Sequence, residues 1–557
     1  MKGRSGLRRS LITLFDKLSS KPMLVYLVYS SSILFFLLLI LIPPIFGIGL
    51  KWNLVGEILE NPELMSRALN AIWASFAIAI LVSVIDLVTG VPTAWFITRR
   101  KSRWLNVIDT LADIPFVVPT VALGYSLLLF WNQPEGVSSL FRYSLISEGW
   151  ILVALLHFVF SFPIVVRVMV GAILDYNIQY EEAARTLGAP SYTVDRTITF
   201  PILKSSLISA FLLAFARSIS ETGATMMVAG AFENGAIFTK KMKDLGQQGA
   251  LVFVSLLLIV ISCIIFAVIL AASSKFRIPL KRVWPFFERK LSSSKVAIFR
   301  DSITLAVFVF LVLVPSLFVA FSSFNALTDG TLNRAFGGSG VWSEYWSSLV
   351  LSYLVGFLAT LLGVIAGLPM AVLIARKRIG KSASNFLDIL VNVPIIVPSV
   401  ALGASLAIFW TNFAFMPEIV ILLFAHVSIT YPYFVRSMAA AIERVDVELE
   451  NAARIHGAKP FTVFRTIILP LTKYSLFAGA IMVFTRSVSE TGATLAVVSK
   501  LLTVPVLLVD CVKALRGGSQ LSMITSSDVG LGCGFLIVLS FIVLLLLRLV
   551  MKKGVSY

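Results

Sequence analysis

The chain has 557 residues, 58% hydrophobic and 14% charged, with a formal net charge of +18. A soluble protein of this size needs far more polar surface, so the composition excludes a string of soluble domains and implies an all-α polytopic membrane protein. The positive charge is clustered between apolar runs, which fits loops beside a lipid membrane and argues against nucleic-acid binding.

A basic segment, 1–22, precedes an apolar run over 23–47 that is too long for the h-region of a signal peptide and reads as a retained first span. With about 20 apolar residues per crossing, further spans are expected at 69–98, 105–131, 150–170, 203–229 and 250–272. A basic linker, 275–300, carries Pro279 and Pro285, which discourage one continuous helix. Six more spans are expected at 302–321, 347–375, 384–411, 417–440, 472–498 and 529–550. The chain therefore divides into the segment 1–22, a transmembrane domain 23–274, the linker 275–300 and a second transmembrane domain 301–557.

The loops set the orientation. Arg99, Arg100, Lys101 and Arg103 join spans two and three, Arg376, Lys377, Arg378 and Lys381 join spans eight and nine, and Lys552 and Lys553 close the chain. Glu57, Glu60, Glu63, Glu135 and Glu148 fall in loops of the opposite parity. Basic loops remain inside, so both termini are expected to be cytoplasmic.

The chain repeats itself. Ile114-Pro-Phe-Val-Val-Pro-Thr-Val-Ala-Leu-Gly124 returns 279 residues later as Val393-Pro-Ile-Ile-Val-Pro-Ser-Val-Ala-Leu-Gly403. Arg217-Ser-Ile-Ser-Glu-Thr-Gly-Ala-Thr225 returns 269 residues later as Arg486-Ser-Val-Ser-Glu-Thr-Gly-Ala-Thr494, with the difference absorbed in the longer loop 132–148. Six spans per copy give the two halves the same topology, related by an axis along the membrane normal, with a solute path between them. Pro115 and Pro119, and Pro394 and Pro398, interrupt spans three and nine. They serve either as hinges for alternating access or as shapers of packing.

Between spans four and five lies Glu181-Glu182-Ala183-Ala184-Arg185-Thr186-Leu187-Gly188, and nine residues separate Gly188 from Ile198-Thr199-Phe200-Pro201. The second half has Glu450-Asn451-Ala452-Ala453-Arg454-Ile455-His456-Gly457, with nine residues before Ile467-Ile468-Leu469-Pro470. The alanines favour a helix that another surface can approach closely, the glycine ends it, and the proline is expected to open the next span. Two copies at one spacing favour docking elements over ordinary connectors.

These two segments resemble the signature loop of ATP-binding-cassette importer permeases: Glu-Ala-Ala, three residues, Gly, nine residues, Ile-x-Leu-Pro. The resemblance covers nearly the whole chain, once per half. It implies a type I importer permease-like fold of 12 transmembrane helices in two parallel six-helix repeats, in a prokaryotic cytoplasmic membrane. It also implies that each loop docks on one of two copies of an ATPase subunit, which uses ATP and Mg2+, and that an extracytoplasmic solute-binding protein delivers the solute. Asn451 stands where the motif has glutamate and Phe200 where it has leucine, so the equivalence of the two contacts is open. No Gly-x4-Gly-Lys-Ser/Thr phosphate loop occurs; hydrolysis is expected from the partner, with no catalytic residue or cofactor in this chain.

Arg217 and Glu221 lie one turn apart in span five, and Arg486 and Glu490 repeat the pair. Membrane-buried charges pair with one another or face a cavity. Either these are structural ion pairs, or Ser220, Glu221 and Thr222 with Ser489, Glu490 and Thr491 line the path or its outer gate. His157 and His426 correspond across the repeat and read as neutral packing groups. Cys263, Cys511 and Cys533 have no ligand spacing, and no metal site is expected. The fused halves are similar to ferric-iron, thiamine and aminoethylphosphonate importers, and the Ser-Glu-Thr-Gly-Ala-Thr segment to molybdate, tungstate and sulfate permeases. Thr503-Val504-Pro505 matches a Thr-x-Pro of that group, and its counterpart is missing from the first half around Phe238-Thr239-Lys240. Iron(III), an inorganic oxyanion and thiamine remain as solutes. An ion-coupled secondary transporter with two parallel repeats is the alternative.

Overall fold

The computed structural model describes residues 13–100, 103–133, 136–141, 143–275, 284–413, 415–515 and 524–553. The basic segment up to residue 12, Lys101, Glu135 and Pro279 lie outside them. The described residues form helices and connecting turns, with no strand.

In the first half the helices are α1 (Pro22–Leu50), α2 (Pro62–Arg99), α3 (Arg103–Leu111), α4 (Ile114–Val117), α5 (Thr120–Trp131), α6 (Trp150–Asp175), α7 (Gln179–Thr186), α8 (Ser191–Ile202), α9 (Lys204–Ser220), α10 (Gly223–Val228), α11 (Gly235–Asp244) and α12 (Gln248–Lys275). The second half continues with α13 (Pro285–Leu291), α14 (Ser294–Asn325), α15 (Val341–Ala375), α16 (Lys381–Ile396), α17 (Ser399–Trp410), α18 (Glu418–Glu443), α19 (Val447–Ile455), α20 (Pro460–Val488), α21 (Gly492–Val497), α22 (Val504–Leu515) and α23 (Ser526–Lys553). Nine of the described helices are long and apolar enough to cross a membrane, or eleven if each of the two bent pairs, α8 with α9 and α16 with α17, is one span. The remaining expected span, the third, runs in the pieces α3, α4 and α5.

The prolines explain the breaks. In both halves the chain turns extended at the second proline of the pair: Pro119 (ψ 140°) precedes α5 and Pro398 (ψ 131°) precedes α17, where the axis bends by 103°. The first prolines differ: Pro115 opens the short α4, whereas Pro394 lies inside α16. Pro285 opens α13. A proline in the first turn loses no hydrogen bond, so it starts a helix as readily as it stops one.

Pro201 and Pro470 do not open their spans, which begin earlier, at Ser191 and Pro460. Each instead follows a π-turn, Asp195–Thr199 or Phe464–Ile468, by two residues. Pro43 and Pro315 follow the π-turns Phe36–Leu41 and Phe308–Leu313 in the same way. A proline within a helix removes one N–H and crowds the carbonyl four residues back. Widening the preceding turn relieves that clash while the helix continues.

The first helix of each half packs on the other half. On α1, Ser32 Oγ donates to Ala366 O (2.6 Å), Leu39 O accepts from Ser428 Oγ (3.0 Å), and Phe36 stacks on Tyr431. On α14, Pro315 O accepts from Ser126 Oγ (2.6 Å), Val319 N donates back to Ser126 Oγ (2.8 Å), and Phe308 stacks on Phe162. The polar segments before these helices cross over too. Asp16 accepts from Thr462 N (3.0 Å) and Thr462 Oγ1 (2.7 Å), and Ser19 Oγ from Phe461 N (3.1 Å). On α13, Glu288 accepts from Thr193 Oγ1 and Arg196 Nη2 (2.7 Å), and Ser292 Oγ from Tyr192 N (3.0 Å). Each half is thus clasped at the start of α8 or α20 by an acidic residue belonging to the other half's leading segment.

The loop joining α5 to α6 spans 132–149 and includes a 3-10 turn, Val137–Leu140, whereas its counterpart spans only 411–417. The repeat's ten-residue mismatch is absorbed there.

Candidate functional site

Sequence motifs from both halves converge where α9 gives way to α10 and α20 to α21. Glu221 is extended (ψ 128°) and stops α9. Its carboxylate pairs with Arg217 Nη1 (2.9 Å) and accepts from Ala224 N (3.3 Å), capping the start of α10. Glu490 repeats both contacts, with Arg486 Nη1 (2.5 Å) and Ala493 N (2.9 Å). Arg217 also lies over the Phe160 ring, 4.6 Å from its centroid. Each carboxylate therefore holds the two helix pieces in register across a break that leaves backbone N–H groups unsatisfied.

The histidines span the same breaks. His157 bonds Ser218 Oγ (2.8 Å) before the break and Thr225 Oγ1 (2.9 Å) after it. His426 does the same with Ser487 Oγ (2.7 Å) and Thr494 Oγ1 (3.0 Å). Both rings are buried. One ring nitrogen must donate and the other accept in a neutral imidazole, and hydroxyls satisfy either need.

The two broken segments meet face to face. A Cβ on Gly223 would fall 2.3 Å from Thr491 Cβ, and one on Gly492 would fall 2.7 Å from Thr222 Oγ1 and 2.4 Å from Ser399 Oγ. Ser399 Oγ donates across the seam to Ser220 O (2.9 Å), and Thr120 Oγ1 is 3.4 Å from Ser489 O. Ser220, Glu221, Thr222, Glu490 and Thr491 are buried and Ser489 is partly so. The structure thus brings together the eight residues singled out in span five and its repeat. It adds Thr120 and Ser399, the residues after the second prolines. Gly124 and Gly403 close the arrangement from behind, since a Cβ on either would press on Ala224 (3.0 Å) or Ala493 (2.6 Å).

At the opposite ends of the helices, on the face where α2 and α15 finish in Arg99 and Arg376, lie α7 and α19. Glu181 is buried, paired with Arg99 Nη2 (2.5 Å) and accepting from Thr199 Oγ1 (2.9 Å). Glu450 is buried and paired with Arg376 (2.8 Å) and Arg454 (3.3 Å). Glu182 and Asn451, the motif position itself, are exposed in both halves, with Ala183 and Ala452 beside them; Ala184 and Ala453 are half-buried. The departure at Asn451 therefore leaves the anchor intact, since the buried acid is the residue before it. Gly188 (φ 87°) and Gly457 (φ 82°) end the helices in a left-handed turn that a side chain would strain. Exposed aliphatic side chains crown the last turns: Leu187 (89%) and Ile455 (84%).

Residues 87–278 and 363–555 each match the family described as binding-protein-dependent transport system inner membrane component. The chain belongs to this family. It is a fused double permease, carrying the family domain twice. Among its relatives, the sulfate transport system permease protein CysT of Salmonella typhimurium is 29% identical over 204 residues, 35% of this chain and 72% of the relative. The sulfate permease CysW of Escherichia coli is 33% identical over 193 residues, 34% and 65%. The molybdenum permease ModB of Escherichia coli is 31% identical over 219 residues, 37% and 93%. The alignments cover about a third of this chain in each case, the size of one half. The family is the membrane subunit and not the ATPase, in keeping with the missing phosphate loop. Among the described residues no group of three or more His, Cys, Asp or Glu is arranged to hold a metal ion.

The helix starts align one further segment across the repeat. α22 starts at Val504 and α11 at Gly235, 269 residues apart, so Asn234-Gly235-Ala236 stands where the second half has Thr503-Val504-Pro505. Asn234 caps α11 by accepting from Ile237 N (3.0 Å). Thr503 holds the same position before α22, and the proline that follows it has no first-half equivalent.

Proposed function

We propose that the chain is the permease of an ATP-driven importer that moves a small inorganic oxyanion into the cell by alternating access. The observation that carries this reading is the seam: two copies of one Ser-Glu-Thr-Gly-Ala-Thr segment pressed together between the halves. Relatives named for sulfate and molybdenum transport favour an oxyanion over iron(III) or thiamine. The face bearing α7 and α19 is cytoplasmic in this reading, as are both termini. Each of these helices seats one copy of a separate ATPase subunit, which binds ATP and Mg2+. The far face receives the solute from an extracytoplasmic binding protein.

In this mechanism Glu181 and Glu450 tie the docking helices to the ends of α2 and α15, so movement of a docked ATPase is passed to the long helices. The seam acts as the outer gate. Glu221 and Glu490, held by Arg217 and Arg486, keep its broken segments aligned. The extended residues at Pro119 and Pro398 are the hinges. The test is uptake of labelled sulfate and molybdate into proteoliposomes holding the chain with its ATPase and binding protein. Uptake is expected to need internal or external ATP according to orientation and to survive an uncoupler. Uptake that collapses with the ion gradient and ignores ATP would establish the secondary-transporter alternative instead.

A further inference from the structure

Two short helices lie over the far side of the seam, and each rests on the opposite half. α11 packs on α17 and α21, and α22 packs on α5 and α10. Their lysines are treated unequally. Lys240 pairs with Asp244, Lys241 with Glu233 (3.0 Å), and Lys513 lies 3.9 Å from Asp510. Lys243 donates instead to two backbone carbonyls of the other half, Leu495 O (2.7 Å) and Val498 O (2.9 Å), at the C-terminal end of α21. Among the described residues it is the one lysine of α11 and α22 whose bonded partners are neutral.

The contact is one-sided. The position matching Lys243 in α22 is Val512, which is buried. The end of α10 is closed within its own half, where Gly149 N donates to Val228 O (3.1 Å). Opening the far mouth between α11 and α21 must therefore break two charge-assisted bonds that the other seam lacks. An ammonium on the last carbonyls of a helix is well placed, yet a full negative charge outcompetes two neutral dipoles for it. Its charged neighbours are Lys240 and Asp244 of α11 and Glu418 of the other half.

We propose that Lys243 is an anion-operated latch: a divalent oxyanion at the far mouth takes the Lys243 ammonium from the α21 carbonyls and frees the α11–α21 seam to open. The inference rests on the oxyanion reading above and gives the solute a way to bias the gate, because it binds the unlatched arrangement better than the latched one.

The test uses the full complex of chain, ATPase and binding protein in nanodiscs. The three native cysteines are replaced by alanine and spin labels are placed at positions 247 and 500, on either side of the latch. Sulfate or molybdate is expected to populate a longer label separation than chloride at equal ionic strength. Lys243→Gln is expected to show the longer separation without anion and to raise ATP hydrolysis in the absence of binding protein severalfold, while Lys243→Arg keeps the short one. Chloride acting as well as the oxyanions, or Lys243→Gln matching the wild-type separation, would overturn the latch. If the wild type takes up neither sulfate nor molybdate, the oxyanion reading fails by itself, and the Lys243→Gln separation still decides whether the residue holds the mouth closed.

Discussion

Gly223→Ala is the sharpest probe of the seam. The added Cβ would sit 2.3 Å from Thr491 Cβ, whereas carbon atoms rest at about 3.5–4.0 Å. More than about 1 Å must be found, and a Cβ cannot yield by rotating, so the two backbones must part. Overpacking of this kind costs about 1–3 kcal/mol, equal to a shift of about 5- to 150-fold from the closed seam toward an open one. The assay is ATP hydrolysis by the reconstituted complex without binding protein, together with leakage of entrapped solute; both are expected to rise. Thr491→Gly in the same chain removes the struck atom and is expected to restore tight coupling, since no Cβ then faces the new alanine. Thr491→Ser keeps that Cβ and is expected not to rescue. An alanine variant that couples and seals like the wild type, or a rescue by serine as good as by glycine, would refute the reasoning.

At α7, Glu182→Asn copies the second half and is expected to leave uptake near normal. Glu450→Ala is expected to abolish it by leaving the buried Arg376 charge with Val445 O (2.8 Å) and no carboxylate, at a cost of about 3–5 kcal/mol for a broken buried pair, read as loss of ATPase co-purification and a lower Tm. His426→Ala strands the Ser487 hydroxyl at about 1–3 kcal/mol, while Thr494 keeps its bond to Glu490 O (3.1 Å), and is expected to lower the Tm in detergent more than His426→Gln, whose amide still offers a donor and an acceptor. Burial brings the Lys243 ammonium down to about 8, with Lys240 adding to the effect and Asp244 and Glu418 opposing it. Its charge is present below that value and lost as pH rises through it. The KM for the oxyanion is accordingly expected to climb between about pH 7 and 9 in the wild type and to stay flatter in Lys243→Arg, whose guanidinium remains charged.

The apolar runs and the repeated motifs were legible because each is a local property of the chain: crossing length, helix breaking and residue spacing need no knowledge of neighbours. The motif read as a docking loop does form a helix ended by a left-handed glycine in both halves. Its anchor was not legible. Successive helical residues point about 100° apart, so whether Glu181 or Glu182 faces inward depends on where Arg99 stands, which the tertiary fold decides. The change to Asn451 was the available signal, since a position free to lose its charge is one facing outward.

By itself, then, the sequence determined a helical membrane protein of two repeated halves, the proline breaks in its third and ninth spans and the paired Arg-Glu segments, since these follow from periodicity and from what proline and buried charge impose on a helix. Only the tertiary structure decided that α1 and α14 each pack on the other half, that Thr222 and Thr491 fill the space left by the other half's glycine, and that Lys243 bonds across one seam with no equivalent at the other. Those facts are contacts between segments hundreds of residues apart, and the pattern along a chain carries no information about which of its apolar faces will meet.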